Sequence, residues 1–387
     1  MADIYRNASL VITAASSPDP EAPFLRKQDD EWLPKPVSII SSDGVPVKML
    51  ARRRHALAVG VDQGLKEPPY TRAWATLRRV GPIYKQAWVF QETLLARRNI
   101  HFNTGGLVYE CKTHRRVQGQ LPPYASTTEE TLGVLSPQDK WRIIVNAYTY
   151  RILTFSKDKL AALSGIAITM SHDLGDEYLA GLWKASLLFD LLWHVMPGAT
   201  MEVLTFREYV APSWSWASID RGVVWSPFKS PRSLITILHA EVTLKGANKY
   251  GEVTHGELRL RGRLIACRVH LKSWNGEYNA YIVKNGKKRG KDQWFVPDSR
   301  LIGGLLDGPP DAAVRRVRHD ESPPYQDFDG PSWLLCVAKT TWANYNHIGL
   351  LVCRSAKGAD CWLRLGCISN LSAEWYDRGV EQELTLL

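Results

Sequence analysis

The feature that most constrains this chain is a change of hydrophobic period near Pro212. From Ser136 apolar residues recur at helical spacing: Trp141, Ile144, Val145, Tyr148 and Ile152 stripe one helix. Leu160, Leu163, Ala167 and Met170 form the inner face of a second, capped by Ser156 with Asp158 in its first turn. A third helix is expected over residues 179–193. Beyond Pro212 the period falls to two and stays there, through 213–218 and then strands near 240–244, 257–264, 333–338, 348–354 and 361–365. Helices followed by strands, without alternation, predict an α+β protein.

The first third reads differently. Residues 1–8 form the end of a helix, with Met1, Ile4, Tyr5 and Ala8 on one face, and run into a short buried strand at 10–15. This is an α/β unit in mid-course, since a parallel strand needs a crossover from an element that would lie upstream. The expectation is a strand without a neighbour on one side, leaving an apolar sheet edge that invites a partner. Residues 17–36 carry five prolines and read as a loop, and two β-rich pieces at 37–40 and 45–49 flank a turn at 42–44. One helix is expected over 81–98, with Tyr84, Ala87, Trp88, Gln91, Leu94 and Leu95 on its apolar side. Strands at 99–102 and 107–111 follow, joined by Asn103, Thr104, Gly105 and Gly106 as a hairpin turn. The intervals 284–291 and 303–330 read as long loops, the second as disordered.

With 387 residues the chain suggests two or three units, divided here as 1–120, 121–210 and 211–387. No run approaches the ~18 apolar residues of a spanning helix and no leader precedes Asp3, so the chain reads as cytoplasmic, neither secreted nor membrane-embedded. Six cysteines at irregular spacing, without a close pair, read as reduced and mostly buried thiols. The 15 tryptophans point to a thick, partly polar core. A net charge of +10 raises non-specific nucleic-acid binding as one reading. The basic residues are scattered, and the cluster from Lys287 to Lys291 lacks interleaved aromatics, so a solvated loop tip is the preferred account.

Three passages resemble the fungal heterokaryon-incompatibility (HET) domain family. The first holds Ile4, Tyr5, Asn7, Ala8, Leu10, Ile12 and Ala14. The second holds Trp88, Gln91, Glu92, Leu94, Leu95, Arg97 and Arg98, followed by His101, Phe102, Glu110 and Cys111. The third is Ser213, Trp214, Ser215 and Trp216 after Ala211 and Pro212. The intervening stretch from Asp158 to Ala167 also fits, and the stretch from Gly349 to Gly366 is similar to a β-rich extension in many members. The resemblance implies fungal non-self recognition ending in programmed cell death, a protein-interaction role with self-association, and a fold similar to TIR-type α/β domains, some of which cleave NAD. Members carry, upstream of the opening helix, a strand with a Trp-Gly turn and an acidic helix that are absent here. The resemblance therefore implies a partial TIR-like α/β unit, a helical middle layer and a C-terminal β-rich unit, with catalysis doubtful and no cofactor. NAD enters only as the substrate of the alternative, hydrolytic reading.

Under that alternative Glu92, Arg97 and Glu110 are the motif positions able to supply a carboxylate and a cation to a polar cleft. The plainer account makes Trp88 core and lets Gln91 and Glu92 satisfy backbone groups. Cys111, with His114 three residues on, lacks the second close pair a structural zinc site needs, so no metal is expected and the thiol reads as inert. On period two, Trp214 and Trp216 face one way and Ser213 and Ser215 the other, which favours core packing over an aromatic platform for bases.

Overall fold

The computed structural model describes residues 1–19, 21–25, 30–51, 81–118, 124–125, 135–195, 209–226, 231–274, 277–284, 287–288, 294–298, 325–340, 347–355, 357–358, 360–371 and 376–387. It is an α+β structure, and the chain divides into two compact units, Met1–Leu153 and Thr154–Leu387. Among the described residues no helix is long and apolar enough to cross a membrane.

Unit 1 opens with α1 (Ala2–Asn7), a short helix that buries no residue and carries Asp3 in its first turn and Arg6 in its last, as the dipole favours. Strand β1 (Val11–Thr13) follows, then the hairpin of β2 (Lys35–Ile40) and β3 (Pro46–Ala51), which turns at Gly44 with φ +76° and is exposed along both strands. Residues 81–98 do not form one helix. A 3-10 turn at Pro82–Lys85 gives way to α2 (Ala87–Leu95), because Gln86 is extended and pairs with Ile152 as an isolated bridge. Two backbone bonds hold that break, Ala87 N–H to Ile152 O at 3.0 Å and Ile152 N–H to Lys85 O at 2.6 Å. They satisfy a donor, Ala87 N–H, and an acceptor, Lys85 O, that a continuous helix would have spent within itself.

After α2 come β4 (Arg98–Asn103), β5 (Gly106–Cys111), β6 (His114–Val117) and β7 (Tyr124–Ala125). The sheet order is β1-β4-β5-β6-β7, parallel between β1 and β4 and antiparallel elsewhere. The β4–β5 turn falls where the sequence places it, with Gly106 at φ +123°. Among the described residues β1 pairs with β4, and Ile12 is 60% exposed. Helix α3 (Pro137–Thr149) starts at Ser136, whose Oγ accepts from Asp139 N–H at 3.1 Å, and it buries Trp141, Ile144, Val145 and Tyr148 on the striped face, whereas Ile152, expected on the same stripe, lies past the helix end and is exposed. Phe90 of α2 meets Tyr148 with ring centroids 6.1 Å apart, and the Arg151 guanidinium lies 4.5 Å over Phe90 while donating to Tyr84 O.

In unit 2 the second predicted helix begins as 3-10 turns at Ser156–Lys159 and Ala161–Leu163 and becomes α4 (Ser164–Leu174), with Leu160, Leu163, Ala167 and Met170 buried as the spacing requires. Gly175 at φ +58° ends it. The helix expected over 179–193 is absent. Strands β8 (Tyr178–Leu179) and β9 (Leu182–Trp183) make a tight hairpin, followed by a 3-10 turn and the four-residue α5 (Leu187–Asp190). Left-handed backbone at Ala180 (φ 46°) and Gly181 (φ 99°) breaks the helical path, and a Cβ on Gly181 would lie 2.6 Å from Trp216 Nε1.

The remaining strands are β10 (His194–Val195), β11 (Val223–Val224), β12 (Arg232–Ser233), β13 (Thr236–Leu244), β14 (Val253–Trp274), β15 (Glu277–Lys284), β16 (Lys287–Lys288), β17 (Trp294–Pro297), β18 (Tyr325–Lys339), β19 (His347–Arg354), β20 (Cys361–Leu371) and β21 (Val380–Leu386). All five strand segments read from the sequence beyond residue 240 lie inside these. Strands β18, β19, β20, β21 and β14 pair in succession, and β14 pairs back to β18, so the five close into a ring. Its core includes Ile265, Cys267, Leu334, Cys336, Leu351, Cys353 and Ile368. All six cysteines are free, four of them buried, and burial pushes the thiols of Cys267, Cys336 and Cys367 up to about 12. The loop expected at 284–291 contains a two-residue pairing of β15 with β16, while 303–324 lies outside the described residues and 325–330 is already strand.

Candidate functional site

Along β4 the side chains of Asn99, His101 and Asn103 are buried while Ile100 and Phe102 are half-buried. The alternation of a strand thus runs polar-inward here, the reverse of the usual arrangement. Register places Thr13 of β1 beside His101 and Glu110 of β5 beside Asn99, on the same face. The His101 and Glu110 side chains approach to 3.6 Å, Nε2 to Oε2, and Tyr84 closes over the imidazole with ring centroids 5.7 Å apart. Asn99 Nδ2 donates to Thr93 O at 3.1 Å, which ties the strand to the C-terminal turn of α2.

The row is underused as it stands. Both ring nitrogens of His101, both amide atoms of Asn103 and Oδ1 of Asn99 lack a hydrogen-bond partner among the described residues. Desolvating such a group without compensation costs about 1–3 kcal/mol, so a run of them calls for ordered water or a polar ligand. Chemically, a carboxylate beside an imidazole can hold the ring in one tautomer and support a proton transfer. His101 is fully buried, so the pair acts on a substrate only if the cover over it opens.

The sequence candidates fall in separate settings. Glu92, half-buried on α2, has its carboxyl raised above the usual range by burial, partly countered by a hydrogen bond from Tyr5. The Tyr5 phenol is in turn pushed up to about 12, by its own burial and then by Glu92. This contact binds α1 to α2. Glu110 belongs to the polar row, Arg97 is exposed after α2, and the neighbouring Arg98 donates to Ser9 O at 3.4 Å. Cys111 is half-buried with Sγ 3.3 Å from Thr113 Oγ1. Trp88 is half-buried and Gln91 buried; Ile4 and Asn7 are exposed, Ala8 half-buried. His101, Asn99 and Asn103 were readable as a strand but not as a site, because polar residues at period two are ordinarily taken to face water.

Residues 213–218 correct the reading from periodicity. They form a turn and a 3-10 segment at Trp216–Ser218, not a strand, and Trp214, Ser215 and Trp216 are all buried together. Ser215 Oγ accepts from Ala217 N–H at 3.0 Å and donates to Ala180 O at 2.5 Å, and Trp216 Nε1 donates to Gly181 O at 2.8 Å. Trp193 Nε1 donates to Trp214 O at 2.9 Å. Arg364, buried, lies 3.5 Å over the Trp193 ring and donates to Asp298 at 2.7 Å and to the carbonyls of Leu191 and Trp193. Ser213 Oγ accepts from Arg364 N–H at 3.1 Å and donates to Leu387 O. The motif is a packing hub in which Ser213, Ser215 and Trp216 bond backbone groups of distant segments, while the buried Trp214 indole N–H has no partner among the described residues. Compared with family models, with curated proteins and with solved structures, the chain matches none.

Proposed function

We propose that the chain serves fungal non-self recognition, as its resemblance to the HET family implies, and that it works through protein contacts. The observation that supports this is the free side of β1. Among the described residues the strand ends its sheet, Leu10 and Ile12 are exposed on and beside it, and Ile4 is exposed on α1. A strand edge with unpaired backbone groups and apolar flanks is a template for a further strand, from a partner or a second copy. Catalysis has weaker support, since His101 is fully buried.

The test is inducible expression of the chain in a filamentous fungus, reading colony extension and dye exclusion, beside sedimentation of the purified protein. Wild type is expected to arrest growth and to self-associate with rising concentration, leaving added NAD intact. Ile12→Lys sets a charge on the exposed edge, away from the core, and should abolish both effects. Normal growth with wild-type protein present at full level would refute the reading, as would an I12K variant equal to wild type.

A further inference from the structure

A second polar cluster lies in unit 2, on the strand pair β13 and β14. His239 and Glu241 are two residues apart on β13 and so project from one face, and Glu257 on β14 is the register partner of Glu241. One ligand atom from each lies within 4.8 Å of the other two. His239 Nε2 is 3.1 Å from Glu241 Oε2, and His255 extends the row with Nε2 3.9 Å from Glu257 Oε2.

Two carboxylates directly opposite each other on antiparallel strands destabilise the pairing. Here they face one another in the stretch of the ladder that keeps its register, His239 to Thr243, with an imidazole at hand. We propose that His239, Glu241 and Glu257 form a site for a divalent transition cation of the zinc class. The donor set selects the class: an imidazole nitrogen with carboxylates suits zinc, while calcium and magnesium favour oxygen ligands alone. Three protein ligands leave a fourth position for water. Bonds of about 2.0–2.1 Å put tetrahedral donors roughly 3.4 Å apart. Donors no more than 4.8 Å apart therefore close by at most about 1.4 Å, while the His239–Glu241 pair at 3.1 Å opens slightly, shifts within the reach of staggered rotamers while the two strands hold the Cα atoms fixed. Arg259, the register partner of His239, is an exposed positive charge on the same pair and works against a cation.

The experiment is calorimetric titration of the full, untagged chain with zinc chloride, paralleled by the visible spectrum of the cobalt(II) form. Wild type should bind one zinc that both His239→Ala and Glu257→Gln weaken at least about tenfold, the low end of what even indirect metal partners contribute. The cobalt bands of low coordination number should be lost in both variants, and magnesium should not compete. His239 is exposed and Glu257 half-buried, neither among the core residues, and circular dichroism checks that the fold is kept. Absence of zinc binding overturns the proposal. So does binding unchanged in either variant, which would move the metal to thiols or to other histidines.

Discussion

Lys159 offers a quantitative test of how unit 2 is held together. Its side chain is 3% exposed, its Nζ donates to Ile219 O, and Asp220 Oδ1 lies 3.6 Å away. Burial lowers the ammonium from an ordinary 10.5 to about 8, against the opposing pull of Asp220. In the unfolded chain the proton is held up to about 10.5; in the folded unit it leaves near 8. Between those values the unfolded state binds more protons, so stability rises with pH, is full above 10.5 and is lost as pH falls through 8. At 1.36 kcal/mol per pKa unit the loss is about 3 kcal/mol. Lys159→Met removes the charge and its penalty, at the cost of one hydrogen bond worth about 1 kcal/mol, and leaves Asp220 partly in water. The variant should match or exceed wild type by about 2 kcal/mol at pH 7 and lose this advantage above pH 10. The assay is urea unfolding at half-unit steps from pH 7 to 10.5, followed by tryptophan emission, since Trp183, Trp193, Trp214 and Trp216 are all core residues of this unit. The raised thiols of Cys267, Cys336 and Cys367 act with the opposite sign above pH 9, because the unfolded state loses those protons first. They are common to both proteins and cancel in the difference. A wild-type minus variant difference that is flat across this range would refute the argument.

Two further outcomes follow from the same unit. Arg364→Ala should cost about 3–5 kcal/mol by stranding the buried Asp298, whereas the double change with Asp298→Leu should recover much of that loss in the same urea assay; equal losses in both would contradict a paired role. Gly181→Ala should cost roughly 1–3 kcal/mol, through left-handed backbone and a clash with Trp216; an unchanged unfolding midpoint would show that the hairpin yields.

Periodicity found most of the elements because burial of one face sets it. The stripe of Trp141, Ile144, Val145 and Tyr148 and the turn at Gly106 could each be read locally, as could the strands beyond residue 240. Failures came where distant segments decide the backbone. Gln86 leaves its helix for a bridge to Ile152, 66 positions on in the numbering, and Ser215 and Trp216 abandon strand geometry to meet carbonyls of Ala180 and Gly181. The polar row on β4 was legible as alternation but its polarity was inverted, since only the tertiary cover of Tyr84 and α2 turns Asn99, His101 and Asn103 inward.

The ring in unit 2 also has a timetable. Leu258 of β14 finds its partner Leu386 of β21 only when the segment from 380 to 386 has been made, and β20 meets β21 through just the pairs Cys361 with Thr385 and Trp362 with Leu386. During synthesis, therefore, β14, β18 and β19 wait with their apolar sides unsealed, and no early subset of strands completes the closure. Unit 1, whose described strands pair within the first 125 residues and whose bridge from Gln86 ends at Ile152, can assemble while the ribosome is still at work. Its partner unit must finish afterwards, and that interval is when a chaperone would matter most to this chain.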